Sequence, residues 1–179
     1  MWLLVLGLIV VVVAVVSISW THFRGAQWVP TTMSTVDRML SIADVGSDDL
    51  VYDLGCGDGR IIVTAARRYG ARAVGIEIDP LRYLWCQLLI TVLGLRGQVQ
   101  VVFGDFFGKD LSRADVVTCY LLQVTNEKLE AKLMKDLRPG TRVVSNYFTF
   151  PGLIRVRERG DAKLYLCNLG STSLPEEAP

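Results

Sequence analysis

The hydrophobic pattern splits the chain near its front. Residues 2–20 form an uncharged, almost wholly apolar run of 19 residues, and at about 1.5 Å per residue such a run crosses the roughly 30 Å core of a bilayer. Trp2 and Trp20 bracket it where interfacial anchors belong. The pattern predicts a transmembrane anchor over residues 1–24. A cleaved signal peptide is the rival, with Ser17 and Ser19 at plausible cleavage positions, but the run has no basic leader and is long for a signal core. His22 and Arg24 follow it, so the weak positive-inside bias puts the rest of the chain in the cytoplasm.

Past the anchor the pattern changes period. Residues 25–48 read as a linker through Val29-Pro30-Thr31-Thr32 and a first helix, opened by the capping-box letters Ser34-Thr35-Val36-Asp37 and running to about Ala43. Strands and helices then alternate: strand 50–54, helix 60–69 stopped by Gly70, strand 72–77, helix 81–94, strands 98–103 and 115–120, helix 127–137, strand 141–148. Leu153–Arg157 and Lys163–Asn168 flank Arg159-Gly160-Asp161 as a hairpin at a sheet edge. The fold class is α/β: a Rossmann-like, doubly wound sheet with a C-terminal antiparallel hairpin over 49–169, then a polar tail, 170–179.

One helix breaks the expected pattern. From Leu81 to Leu95 nearly every face is apolar, whereas a helix covering one side of a sheet needs a single stripe. It is too short to span a bilayer, so it is buried on both sides, sits in an oligomer, or rests in a membrane interface with Trp85 near its middle.

Composition removes several function classes. A net charge of +1 leaves no electrostatic footprint for a nucleic-acid backbone, so no nucleic-acid partner is expected. The four cysteines, Cys56, Cys86, Cys119 and Cys167, lack metal or disulfide spacing and accompany a single histidine. They read as reduced, mostly buried thiols, with no metal expected.

The candidate chemistry starts at Asp53-Leu54-Gly55-Cys56-Gly57-Asp58-Gly59, between an apolar strand and a helix. A dinucleotide loop would place its third glycine at position 60, which is Arg60. An aspartate before the turn would repel a pyrophosphate but suits a ligand carrying sulfonium and ammonium groups, as S-adenosylmethionine does. Glycines admit the ligand close to the backbone, and the next helix offers unpaired N–H groups. An ordinary strand-to-helix turn is the bland alternative. Glu77 ends the second strand, where an acid can accept both ribose hydroxyls. Asp79-Pro80 reads as an N-cap and first helical residue. Asp105 can accept from an adenine amino group with Phe106 packed on the base, although a plain turn would leave the same letters.

These residues resemble the successive motifs of class I, seven-strand S-adenosylmethionine-dependent methyltransferases: the loop 53–59, Gly75-Ile76-Glu77, Gly104-Asp105-Phe106 and Leu137-Arg138-Pro139-Gly140-Thr141. With Val29-Pro30-Thr31-Thr32 and Val143-Val144-Ser145-Asn146, the likeness over about 28–168 narrows to small prokaryotic protein-lysine methyltransferases and their membrane-anchored mitochondrial relatives. The resemblance implies that Thr31 or Thr32 holds the cofactor's methionine end, that Asp53, Gly55, Cys56 and Gly57 line it, that Glu77 binds ribose, and that Asp105 and Phe106 receive adenine. Tyr120, at the end of the fourth strand, and Asn146, on its neighbour, are the candidates for orienting an amine; either is as readily a wall residue. Archaeal members often carry histidine where this chain has Asn146. No Asp/Asn-Pro-Pro-Tyr motif follows the fourth strand, which argues against base or glutamine methylation.

The expectation is therefore a membrane-anchored methyltransferase acting on an accessible lysine of a membrane-associated protein, in a mitochondrial membrane if the source is eukaryotic. Methylation of a lipophilic small molecule such as a quinone or lipid, or non-catalytic cofactor binding, are the alternatives.

Overall fold

The computed structural model describes Trp2, Val5, Gly7 and residues 29–167. The expected anchor, apart from those three positions, and the tail 170–179 lie outside the described residues. Among the described residues no helix is long and apolar enough to cross a membrane.

The elements are α1 (Met33–Ile42), β1 (Leu50–Leu54), α2 (Arg60–Tyr69), β2 (Arg72–Glu77), α3 (Pro80–Val92), β3 (Val99–Phe103), β4 (Val116–Cys119), α4 (Gln123–Asp136), β5 (Arg142–Asn146), β6 (Ile154–Arg159) and β7 (Ala162–Leu166). They build a seven-stranded sheet in the order β3-β2-β1-β4-β5-β7-β6. β1 to β5 are parallel, and β7 runs antiparallel between β5 and β6. The α/β class and the terminal hairpin stand as read from the sequence.

Successive strand residues feed opposite cores. Val116, Val144 and Leu164 pack with Val36, Ile62 and Ile90 from α1, α2 and α3. Val117, Val143 and Tyr165 pack with Leu129 and Leu133 of α4. Helices thus cover both faces, and β4 at the centre is buried throughout, which its run Val-Val-Thr-Cys reflects. All four cysteines are free and buried.

Several boundaries differ from the expected ones. The first helix is capped by Thr32, whose Oγ1 accepts from the Thr35 N–H at 3.3 Å, so Ser34 lies inside the first turn and is not the cap. α4 starts at Gln123, four residues before the expected 127; its cap residue Leu122 makes no side-chain cap bond, so no capping letter marks the start. β5 ends at Asn146, because Tyr147 takes φ 67 and the Phe148 N–H returns to the Asn146 carbonyl at 2.8 Å, closing a turn. Gly70 ends α2 at φ 73, and Asp79 caps α3 by accepting from Leu81 and Arg82 N–H, both as expected.

Candidate active site

Strand order reverses around β1, with β2 on one side and β4 on the other. A crevice opens beyond strand ends at such a switch point. β1 delivers Asp53 there, and the chain then turns through Gly55 at φ 77 and Gly57 at φ 58, conformations that cost glycine little. The N–H groups of Gly55 and Cys56 both donate to the Ile76 carbonyl, at 2.9 and 3.1 Å, which ties the loop to β2. Gly75 allows this approach, since a Cβ there would sit 2.6 Å from Cys56 Sγ. The Cys56 thiol therefore packs under the loop, near Cys86, whose own Sγ donates to the Gly57 carbonyl at 3.2 Å.

Two carboxylates carried by the strands β1 and β2 face the crevice. Glu77, the last residue of β2, accepts from the Gly57 N–H through Oε2 and from the Asp79 N–H through Oε1, each at 2.8 Å. One lone pair on each oxygen remains for a ligand. Burial raises its pKa, against the lowering effect of those two N–H groups. Asp53 is 2% exposed and accepts from Thr118 Oγ1 at 2.8 Å. Burial pushes it up to about 7; Thr118 pulls the other way, and the neighbouring Glu77 and Asp58 carboxylates add to the rise. An acid raised by burial in a cleft is a candidate for a functional residue.

The cavity they line has a volume of about 270 Å³, near the low end of the roughly 300–1,000 Å³ usual for small-molecule sites. At one end Asp105 Oδ1 accepts from the Phe107 N–H at 2.9 Å, capping a short turn that sets the Phe106 and Phe107 rings 4.8 Å apart. All three residues line the cavity. Val29, Pro30 and Thr31 form another part of the wall, joined to the loop by Arg60. That guanidinium donates to the Thr31 carbonyl and to both oxygens of Asp58, with Nε at 2.8 Å from Oδ1. Burial works to raise the Asp58 carboxyl, but the hydrogen bonds and charge of Arg60 hold it below its ordinary value. Tyr120 and Leu121 beyond β4, with Thr125 and Lys128 of α4, complete the wall.

The structure thus gathers Thr31, Asp53, Gly55, Cys56, Gly57, Glu77, Asp105, Phe106 and Tyr120 around one cavity. Cys56 belongs to the wall as part of the loop, its thiol packed against Gly75. Two candidates fall outside the lining. Thr32 spends its hydroxyl on the cap of α1. Asn146 is buried one strand from Tyr120, one step past the Cys119–Ser145 pairing, with Oδ1 lacking a partner. The sequence reading missed Arg60, Phe107, Thr125 and Lys128. Arg60 alone left a signal, as the residue displacing the third glycine of a nucleotide loop.

The arrangement suits an elongated ligand with a cationic end, a diol and a flat base. An ionised Asp53 would meet the cation, the spare lone pairs of Glu77 the diol, and the Asp105–Phe107 turn the base. The family of the ANTKMT methyltransferase domain matches this chain over residues 53–157. The chain belongs to that family. It is 51% identical over 126 residues to a protein-lysine N-methyltransferase of Saccharolobus islandicus, covering 70% of this chain and 78% of that one. It is 32% identical over 125 residues to the adenine nucleotide translocase lysine N-methyltransferase of Mus musculus, covering 69% of this chain and 54% of that one. Among solved structures, an RNA methyltransferase from Salinibacter ruber in complex with S-adenosyl-L-homocysteine is 42% identical, with a TM-score of 0.74 over 83% of this chain and 98% of that one. The cofactor of this ANTKMT-family chain is S-adenosylmethionine, and the residues of the cavity fit it.

Proposed function

We propose that this ANTKMT-family protein is an S-adenosylmethionine-dependent N-methyltransferase whose substrate is a lysine side chain of a protein held at a membrane. The observation that carries the reading is the 51% identity over 126 residues to a protein-lysine N-methyltransferase.

When bound, the cofactor supplies an electrophilic methyl group on a sulfonium. Asp53 and Glu77 would hold it through charge and hydroxyl contacts, with Asp105 and Phe106 at the adenine end. Tyr120 and Leu121 form the wall along which an amine would enter. A lysine must arrive neutral, and a narrow, partly apolar passage lowers its pKa by desolvation. Tyr120, in the cavity wall, orients the amine; Asn146, buried on the next strand outside the lining, could act on it only through that wall. The part of the chain's own residues would be to line up the amine nitrogen with that methyl group, Tyr120 from the wall and Asp53 and Glu77 by holding the cofactor, with the surplus proton passing to water. Alignment supplies most of the acceleration in such a transfer.

The Salinibacter relative's name raises RNA as a substrate. The charge balance argues against it here: the net charge is only +1, and the exposed guanidiniums of Arg68, Arg138, Arg155 and Arg157 bridge to Asp37, Asp115, Glu158 and Asp44, which weakens the basic face a phosphate backbone would need. Residues 2–20 anchor the protein in a bilayer in this reading, with the α/β domain on the cytoplasmic side.

The test is full-length protein with methyl-labelled cofactor and, in parallel, membrane proteins, total RNA and extracted lipids. Label recovered as methyllysine is the expected result. Label in RNA or in the organic phase moves the substrate class, and no label leaves a cofactor-binding protein. Flotation of the full chain with vesicles checks the anchor separately.

A further inference from the structure

Helix α3 turns Cys86 and Ile90 into the core, while Gln87 donates to the Val101 carbonyl at 3.2 Å and Tyr83 packs on Phe103 with ring centroids 5.4 Å apart. Those contacts fix which side meets the sheet. The opposite side is a stripe of Leu81, Leu84, Trp85, Leu88 and Val92 at helical spacing, with Leu84 60%, Trp85 51%, Leu88 57% and Val92 72% exposed. No described element covers it. Contiguous exposed apolar side chains on one helix face mark a contact with something other than water.

We propose that this stripe docks in the interface of the lipid bilayer that the uncharged segment 2–20 enters, so that the domain lies on the membrane in a fixed orientation. The proposal rests on the anchored reading above and adds the surface that meets lipid. Val29 and Pro30, where the chain arrives from that segment, and Arg82, in the first turn of α3, line the same cavity. The tether and the N-terminal end of the stripe thus both border the crevice. Only residues 21–28 separate the apolar segment from Val29, and eight residues reach at most about 28 Å when extended. A domain of this size is about 30–40 Å across, so the tether keeps it within about one domain width of the surface, where a docking face can reach lipid.

The chemistry of the stripe matches that occupant. Trp85 lies mid-stripe, and indole favours the headgroup boundary. Arg96, exposed one turn past Val92, has its Nε held by Thr91 Oγ1 at 2.9 Å, at the level where a lipid phosphate would sit. A second copy fits less well: the five side chains of one helix face expose less accessible surface than the roughly 800 Å² per partner of a stable interface.

The test uses the full chain in proteoliposomes of phosphatidylcholine and phosphatidylglycerol. Leu88→Cys receives an environment-sensitive fluorophore, the native cysteines being buried. Gln100→Cys is the control, because Val101 faces the helix-side core and Gln100 points to the other side of the sheet. Lipids brominated near the headgroup should quench the label at position 88 and spare that at position 100. An unquenched label at position 88 overturns the proposal, whether it reads as wet or as covered by a second copy or by residues 2–20.

A functional arm uses the triple variant Leu84→Gln, Trp85→Gln, Leu88→Gln. It should float with vesicles and methylate a soluble lysine peptide at the parental rate, yet act on a lysine displayed at the vesicle surface about tenfold more slowly through lost orientation. Equal rates on the displayed lysine overturn docking. Loss of flotation by the parent would remove the anchor, and loss of peptide methylation by the parent would remove the assigned chemistry; quenching at position 88 decides docking apart from both.

Discussion

Thr118 Oγ1 donates to Asp53 Oδ1 at 2.8 Å across the β1–β4 pairing in which the two residues are register partners. Among the described residues this is the one side-chain hydrogen bond to a carboxylate that is 2% exposed. The site therefore holds a nearly unsolvated acid in readiness for a cation.

That readiness costs stability. With a folded pKa of about 7 against an ordinary 3.8, Asp53 holds its proton in the folded state across that window and loses it in the unfolded state. Stability from this group is full below pH 3.8, declines as pH rises, and is lost above 7, with a ceiling of about 4 kcal/mol. Asp53→Asn keeps an acceptor for Thr118 and removes the charge. It should raise the unfolding free energy by about 1–4 kcal/mol at pH 8 and by little at pH 4, read by urea titration of ligand-free protein. An equal difference at both pH values would show that Asp53 ionises normally.

The same acid links cofactor affinity to pH. A cationic ligand selects ionised Asp53, so binding should release a proton near pH 6, and affinity should fall about tenfold per pH unit below 7. Calorimetry in buffers of different ionisation enthalpy counts the proton. Asp53→Asn should bind weakly and independently of pH; a parent curve flat from pH 5.5 to 8 would contradict the assignment.

Glu77 has a double task, and two substitutions separate it. Glu77→Ala leaves the Gly57 and Asp79 N–H groups without their acceptor, at about 1–3 kcal/mol each if they stay buried. Glu77→Gln keeps one oxygen but turns an amide N–H toward a backbone donor. Both should lose at least about tenfold in S-adenosylmethionine affinity, with the larger drop in melting temperature for alanine. Unchanged affinity in a folded glutamine variant would remove Glu77 from the site.

How much of this was legible follows from how local each signal is. Asp53, Gly57 and Glu77 were readable because strand ends, tight turns and an acid after the second strand are written in neighbouring letters. Thr32 was misread because Thr32 and Ser34 are both capping letters, and only the register of α1 decides between them. The turn at Tyr147 was invisible, since its φ of 67 on a bulky residue is imposed by tertiary contacts: its N–H meets the Asp161 carbonyl at 2.7 Å, and its own carbonyl accepts from Lys163 Nζ at 2.9 Å. The apolar excess of residues 81–95 was readable, but its exposed face was not, because the choice among core, oligomer and lipid depends on α3 lying over the edge strand β3.

The loop and β2 are also coupled by close packing. A Cβ at position 75 would lie 2.6 Å from Cys56 Sγ, 2.9 Å from Cys56 Cβ and 2.9 Å from Ile62 Cδ1. Gly75→Ala should lift the loop, costing about 1–3 kcal/mol of stability along with cofactor affinity. Adding Cys56→Ala removes the nearest atom and should restore part of both losses. If the double variant is no better than the single one, the contact with Ile62 dominates and the loop is not what moves.

Arg60 makes the last connection, and it is the residue whose loss should act on binding more than on folding. Its guanidinium spans two loops, donating to the Thr31 carbonyl on one side and to Asp58 on the other. Arg60→Ala frees the 29–31 wall and leaves Asp58 ionised without its counter-charge, close enough to Asp53 to raise that acid further. The pair is partly exposed, so its own contribution to stability is small. The expected result is a KM for S-adenosylmethionine raised about five- to twentyfold, kcat within about threefold of the parent, and a pH midpoint for binding moved upward. Arg60→Lys should recover little, because one ammonium cannot reach both loops with the spread of a guanidinium. A variant with unchanged KM and a sharply lowered melting temperature would make Arg60 a structural brace only, and the 29–31 wall would then owe its position to α1 alone.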